Sequence, residues 1–119
     1  DGATVVAIQA DAADPEQVTR SVEDTVAKLG GLDILVNNAG IAILGDAATF
    51  APEQFEKMVA VNIRGVFVAI QAALAHLGEG GRIINIGSIN ADKVPGPGLA
   101  VYAMTKAAVA GLTRAWPAT

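Results

Sequence analysis

The sequence predicts an α/β protein of the doubly wound class, a parallel sheet with helices packed on it. Three observations carry this. Short runs of β-branched and aliphatic residues alternate with longer amphipathic segments, in the order β-α-β-α-β-α. Hydrophobic residues make up 52% of the chain but aromatic ones only 4%, the small-aliphatic balance expected of strands buried on both faces by helices. A polar or glycine-containing turn follows the second and third strand candidates, where an open parallel sheet collects its ligand-binding groups.

Residues 4–10 (TVVAIQA) are β-branched and apolar and read as the first strand, ending at Asp11. In the next stretch Asp14 suits an N-cap, Pro15 the first helical position and Gln17 the third position of a capping box. Val18, Val22, Thr25, Val26 and Leu29 then fall near one helical face, and Gly30-Gly31 stops the helix. Residues 32–36 (LDILV) form the second buried strand and run directly into Asn37-Asn38-Ala39-Gly40, a small polar turn against which a flat ligand can lie close to the backbone. After a connector to Phe50, Pro52 opens a second helix, with apolar periodicity from Phe55 through Met58, Val59, Ile63, Val66, Phe67, Ile70 and Leu74 to Leu77. Asn62 lies among these apolar neighbours, where its amide must find hydrogen-bond partners. Residues 78–81 (GEGG) end that helix and cannot be a phosphate loop, because such a loop opens a helix rather than following one. Residues 82–87 (RIINIG) are the third strand, delivering Ser88 at its carboxyl end. A Pro/Gly-rich loop over 89–101 leads into a third helix, which carries Tyr102 and Lys106 on to Trp116.

Composition excludes several functions. The net charge is −4 with no basic cluster, which argues against a nucleic-acid surface, and the absence of cysteine removes disulfides and thiolate metal sites. The most apolar run, 66–77, is too short to span a bilayer and contains Gln71 and His76. No metal-binding spacing is present, and the single His76 reads as a surface residue near a helix end. A soluble cytoplasmic protein is the expectation.

The chemistry concentrates in the third helix. Tyr102 and Lys106 stand four positions apart, so phenol and ammonium emerge on one face. An isolated phenol ionises only near pH ~10, and a fixed cation beside it stabilises the phenolate, making the group usable for proton transfer. A hydroxyl from Ser88 is then suited to hold the oxygen of a carbonyl or alcohol beside the phenol.

Together the turn Asn37–Gly40 with Asn62, Ser88, Tyr102 and Lys106, in that order and on those elements, resembles the short-chain dehydrogenase/reductase family, in a flavour similar to 3-oxoacyl-acyl-carrier-protein reductases. The resemblance implies a Rossmann-like doubly wound parallel sheet, of which this chain would supply strands 3, 4 and 5 as the central part of a single domain over residues 1–119. It implies hydride transfer between NAD(P)H and a small-molecule carbonyl/alcohol pair, with NADP slightly favoured over NAD and no metal. Tyr102 would be the general acid/base, Lys106 would bind the nicotinamide ribose, Ser88 would orient the substrate oxygen, and Asn62 would anchor a water relaying protons from Lys106. Asp11 with Ala12 would lie near the adenine, and Asn38, Ala39 and Gly40 would line the cofactor site. The Gly-rich phosphate turn and the segments closing the substrate pocket are not among these residues, so the chain reads as part of a longer enzyme; Pro117 falls where the family's helix continues.

Two alternatives stand beside this reading: a nucleotide-binding or regulatory protein that keeps the fold without turnover, and an inactive fragment of the enzyme. The apolar loop residues Ile89, Val94 and Leu99 favour a neutral or hydrophobic carbonyl compound as substrate. Extra apolar faces on the second helix (Phe67, Ile70) and the third (Ala107, Ala108, Leu112) predict a homo-oligomer, since family members use the corresponding helices to dimerise.

Overall fold

A computed structural model describes residues 2–93 and 96–115. Helix α1 (Pro15–Leu29) leads to strand β1 (Leu32–Asn37), and α2 (Pro52–Val59) continues through a π turn, Ala60–Arg64, into α3 (Gly65–Leu74). Strand β2 (Leu77–Asn85) and α4 (Ala100–Ala115) complete the described elements, with single 3-10 turns at Ala47–Thr49 and Ile89–Ala91. β1 and β2 pair in parallel, joined by the right length of helical crossover for that direction.

The start of α1 follows from its sequence with one change of partner. The Asp14 carboxylate accepts the Glu16 N–H at 3.0 Å, and Pro15 occupies the first helical position, where its missing donor costs nothing. Gln17 does not reach back to the backbone N–H of the cap. Its amide nitrogen instead donates to Asp14 Oδ2 at 2.9 Å, and its oxygen accepts the Asp11 N–H at 2.9 Å. That Gln17 bond, followed by backbone donation from Glu16 and Gln17 and the charge of Arg20, holds the Asp14 carboxyl below the usual aspartate range, against a smaller upward push from desolvation. Gly30 closes the helix in the left-handed conformation, φ 90°, its N–H donating to Val26 O.

The expected first strand does not form. Residues 4–10 pair with no strand among the described residues, and Val5 is 83% exposed. A strand needs a ladder partner for its N–H and C=O groups, and in the strand order implied by the resemblance the neighbour of this segment lies outside these residues. The sheet therefore has two strands rather than three.

Its burial is also one-sided. Leu35 of β1 and Ile83 of β2 pack on a core of Val66 and Ile70 from α3 and Val109 from α4, with Leu112 beside them. The alternate residues Ile34, Val36, Ile84 and Ile86 are exposed, so among the described residues helices cover one face and not both. Strand β2 begins earlier than the sequence suggests. Leu77 pairs with Leu32, residues 78–81 bulge out, and regular register resumes at Arg82 opposite Ile34. The glycines that were expected to end the second helix thus lie inside β2, with Gly80 at φ 82°, while that helix stops at Leu74.

The run from Pro52 to Leu74 is long and apolar enough to cross a membrane, yet it buries Met58, Val61, Asn62, Val66, Ala69, Ile70 and Ala73 within the protein. His76, just beyond it, is tied to α1 through Nε2, 2.9 Å from Glu23 Oε2.

Candidate active site

Asn62 is the polar centre of the molecule. It is 1% exposed, and all its hydrogen-bonding atoms are used. Its Oδ1 accepts the Ile41 N–H at 2.9 Å, while Nδ2 donates to Ile41 O at 2.8 Å and to Thr105 Oγ1 at 3.0 Å. The Thr105 hydroxyl in turn donates to Tyr102 O at 2.7 Å. One side chain therefore joins the turn after β1 to the first turns of α4. The helix does not carry Asn62 in ordinary α geometry: the widened π turn Ala60–Arg64 holds it, a distortion found disproportionately at functional positions.

The spacing-based pairing of Tyr102 and Lys106 is present. Lys106 Nζ lies 5.9 Å from the centroid of the Tyr102 ring, over its face. Lys106 is 8% exposed and makes no ion pair among the described residues. A buried ammonium without an acidic partner is costly, and here it faces the turn after β1. A Cβ built on Gly40 would sit 3.2 Å from Lys106 Nζ and 3.5 Å from Asn62 Oδ1, so a side chain there would press on the ammonium.

Ser88 lies three residues past the end of β2, where it caps the Ile89–Ala91 turn by accepting the Asn90 N–H at 3.1 Å. That turn packs on α4, the helix of Tyr102 and Lys106. Of the loop that follows, Val94 and Pro95 lie outside the described residues, as do Trp116 and Pro117 at the far end of α4.

On the other side of Asn62, Ala12, Asn38 and Ala39 line one cavity of about 180 Å³, together with Val61 and Gly65. Asp11 adjoins them, and its Oδ1 accepts the Ala13 N–H at 2.9 Å, which shapes the turn carrying Ala12. Of the residues expected to hold a dinucleotide, Ala12, Asn38 and Ala39 thus share one cavity, while Gly40 lies against Lys106 and Asn62.

Asn85, Thr113 and Asn90 escaped the sequence reading. Asn37 Nδ2 donates to Asn85 Oδ1 at 2.8 Å, and Asn85 Nδ2 donates to Thr113 Oγ1 at 3.0 Å, binding both strand ends to α4. The polar Asn85 inside an otherwise aliphatic strand was the available signal. Asn90 is the third: its Oδ1 is buried and is the one such side-chain atom without a partner among the described residues.

The short chain dehydrogenase family profile matches residues 1–118. The chain is 41% identical over 113 residues to the cyclic-di-GMP-binding biofilm dispersal mediator protein of Escherichia coli, covering 95% of this chain and 45% of that protein. The structure of a short-chain dehydrogenase/reductase from Serratia marcescens superposes with a TM-score of 0.92 at 52% identity, over 94% of this chain and 46% of that one. A short chain dehydrogenase from Burkholderia cenocepacia in complex with NADP gives 0.87 at 48% identity, over 90% and 44%. This sequence spans a little under half the length of the proteins it matches.

Proposed function

The chain belongs to the short-chain dehydrogenase family, and on that footing we propose that it carries the catalytic centre of an NAD(P)-dependent oxidoreductase acting on a carbonyl/alcohol pair. The observation that carries the reading is Lys106, buried without an acidic partner beside Tyr102 and facing Gly40 across the Asn62 bridge. When bound, the nicotinamide supplies or takes the hydride. Tyr102 Oη gives a proton to the substrate oxygen in reduction and accepts it in oxidation. Lys106 stabilises the phenolate and holds the nicotinamide ribose, and the Ser88 hydroxyl orients the substrate oxygen. Asn62 fixes the frame and anchors a water that passes protons from Lys106 to solvent. Asp11, Ala12, Asn38, Ala39 and Gly40 form the cofactor cleft, with NADP slightly preferred by resemblance and by the NADP complex of the Burkholderia protein. The exposed Ile89 at the rim favours a neutral or hydrophobic carbonyl compound.

Titration of the polypeptide carrying these residues with NADPH and NADH tests this, followed by nicotinamide fluorescence with circular dichroism on the same sample. Saturable binding and turnover of a carbonyl substrate are expected; a folded protein that binds neither would sink the reading. The name of the Escherichia coli relative favours a second reading, a nucleotide-binding regulator without turnover.

The protein acts as a homo-oligomer in this reading. Phe67 and Leu74 on α3, Met104 on α4 and Phe55 on α2 are exposed, and Ala107 and Ala108 join them on α4. Ile70 and Leu112, expected on that outer face, instead pack into the core. Light scattering should give at least a dimer, and a monomer at micromolar concentration would remove the oligomer from the proposal.

A further inference from the structure

Where the π turn that carries Asn62 passes into α3, two successive residues, Arg64 and Gly65, grip the Asp11–Ala13 turn. A Cβ on Gly65 would lie 2.7 Å from the carbonyl oxygen of Ala12, closer than any side chain can come, so glycine alone permits this approach. Next to it, Arg64 Nη2 donates to the carbonyl of Ala13 at 2.7 Å. Two adjacent carbonyls of the Asp11–Ala13 turn are thereby seated on two adjacent residues of one helix. The turn is also closed on itself, since Asp11 Oδ1 accepts the Ala13 N–H and Asp11 O accepts the Asp14 N–H at 3.0 Å. Its position relative to the helix is therefore set by the Gly65 and Arg64 contacts.

The same stretch of helix fixes the opposite wall. Asn62 binds both backbone groups of Ile41, next to Gly40 and Lys106. Ala12 and Gly65 line the cavity that Asn38 and Ala39 close from the β1 side. Residues 62–65 thus tie the turn after β1 and the Asp11–Ala13 turn to one short stretch of helix.

We propose that Arg64 and Gly65 are positioning residues for the adenosine half of the dinucleotide, acting through the carbonyls of Ala13 and Ala12. This rests on the cofactor reading above. Neither residue touches the reacting atoms. They hold the Asp11–Ala13 turn, which the cofactor reading places at the adenosine, and a mononucleotide without the adenosine makes no use of that turn. A role in packing alone makes no such distinction between ligands.

The test compares Gly65→Ala and Arg64→Met with the unaltered protein, in the whole polypeptide that carries them. Each is titrated with the reduced dinucleotide and with reduced nicotinamide mononucleotide, which lacks the adenosine half, and the thermal midpoint is recorded on the same samples. Displacing the turn by several tenths of an ångström should weaken the dinucleotide about tenfold in Gly65→Ala and about threefold in Arg64→Met, with mononucleotide affinity unchanged. Parallel loss of both ligands, following the thermal midpoint, overturns the proposal in favour of packing. Undiminished dinucleotide affinity in both variants overturns it as well. If Gly65→Ala does not fold, Arg64→Met decides alone, because a long apolar stem is retained while the guanidinium is removed with its hydrogen bond and its charge. Failure of the unaltered protein to bind the dinucleotide removes the cofactor reading and this inference together, whereas binding without the split removes only the inference.

Discussion

Tyr102→Phe should reduce turnover of a carbonyl substrate by about 10²- to 10⁴-fold, the range that a positioned proton donor contributes, while dinucleotide binding persists. The substitution removes one oxygen and keeps the ring. Lys106 Nζ stays over that ring at 5.9 Å, and the Thr105 hydroxyl bonds the backbone carbonyl of residue 102, which the substitution leaves alone. No hydrogen bond of the phenol contributes to the described structure, so stability should move by no more than about 0.5 kcal/mol. Rates measured at saturating cofactor, with binding followed by nicotinamide fluorescence, separate the two functional readings. An enzyme keeps its ligand and loses its rate; a nucleotide-binding regulator shows no rate to lose, and its ligand affinity is indifferent to the hydroxyl. Turnover within about tenfold of the unaltered protein would remove Tyr102 from the role of acid/base.

The elements that local chemistry determines were legible in the sequence. Asp14, Pro15 and Gly30 bound α1 where the capping preferences place it, and Leu32–Asn37 is a strand within one residue of its apolar run. The Tyr102–Lys106 pair needed only helical periodicity. What local pattern did not reveal depends on partners distant in the chain. Residues 4–10 have the composition of a strand, but composition cannot supply the neighbour that a ladder requires. The glycines at 78–81 read as a helix stop because glycine marks both stops and bulges, and only the pairing of Leu32 with Leu77 distinguishes the two. Asn62 was recognisable as a polar residue needing partners, but the identity of those partners, Ile41 and Thr105, belongs to the tertiary structure. The close seating of Gly65 on Ala12 left no mark in the sequence beyond the glycine itself.

Asn62→Leu should be the most destabilising substitution in the site. Leucine keeps the branch at Cγ but is bulkier than asparagine, so at a residue 1% exposed some crowding adds to the loss of hydrogen bonds, which is the larger part. The Ile41 N–H and C=O lose their partners at 2.9 and 2.8 Å and remain in a partly buried turn, and Thr105 Oγ1 loses the donor at 3.0 Å but keeps its own donation to Tyr102 O. Each orphaned backbone group costs about 1–3 kcal/mol, so a total on the order of 3–5 kcal/mol is expected, a large share of the roughly 5–15 kcal/mol that holds an ordinary domain folded. Chemical denaturation of the unaltered and substituted polypeptides measures it through the shift in midpoint. Asn62→Asp is the informative comparison: it keeps an acceptor for the Ile41 N–H but loses both donations and sets a carboxylate oxygen against the Ile41 carbonyl, so shape and one bond alone should not rescue the fold. Because Gly40 and Lys106 sit against the same turn, any Asn62→Leu protein that remains folded should also bind dinucleotide more weakly. A midpoint shift worth under about 1 kcal/mol would mean that the turn finds other partners, in water or by rearrangement, and that Asn62 does not hold the frame between β1 and α4.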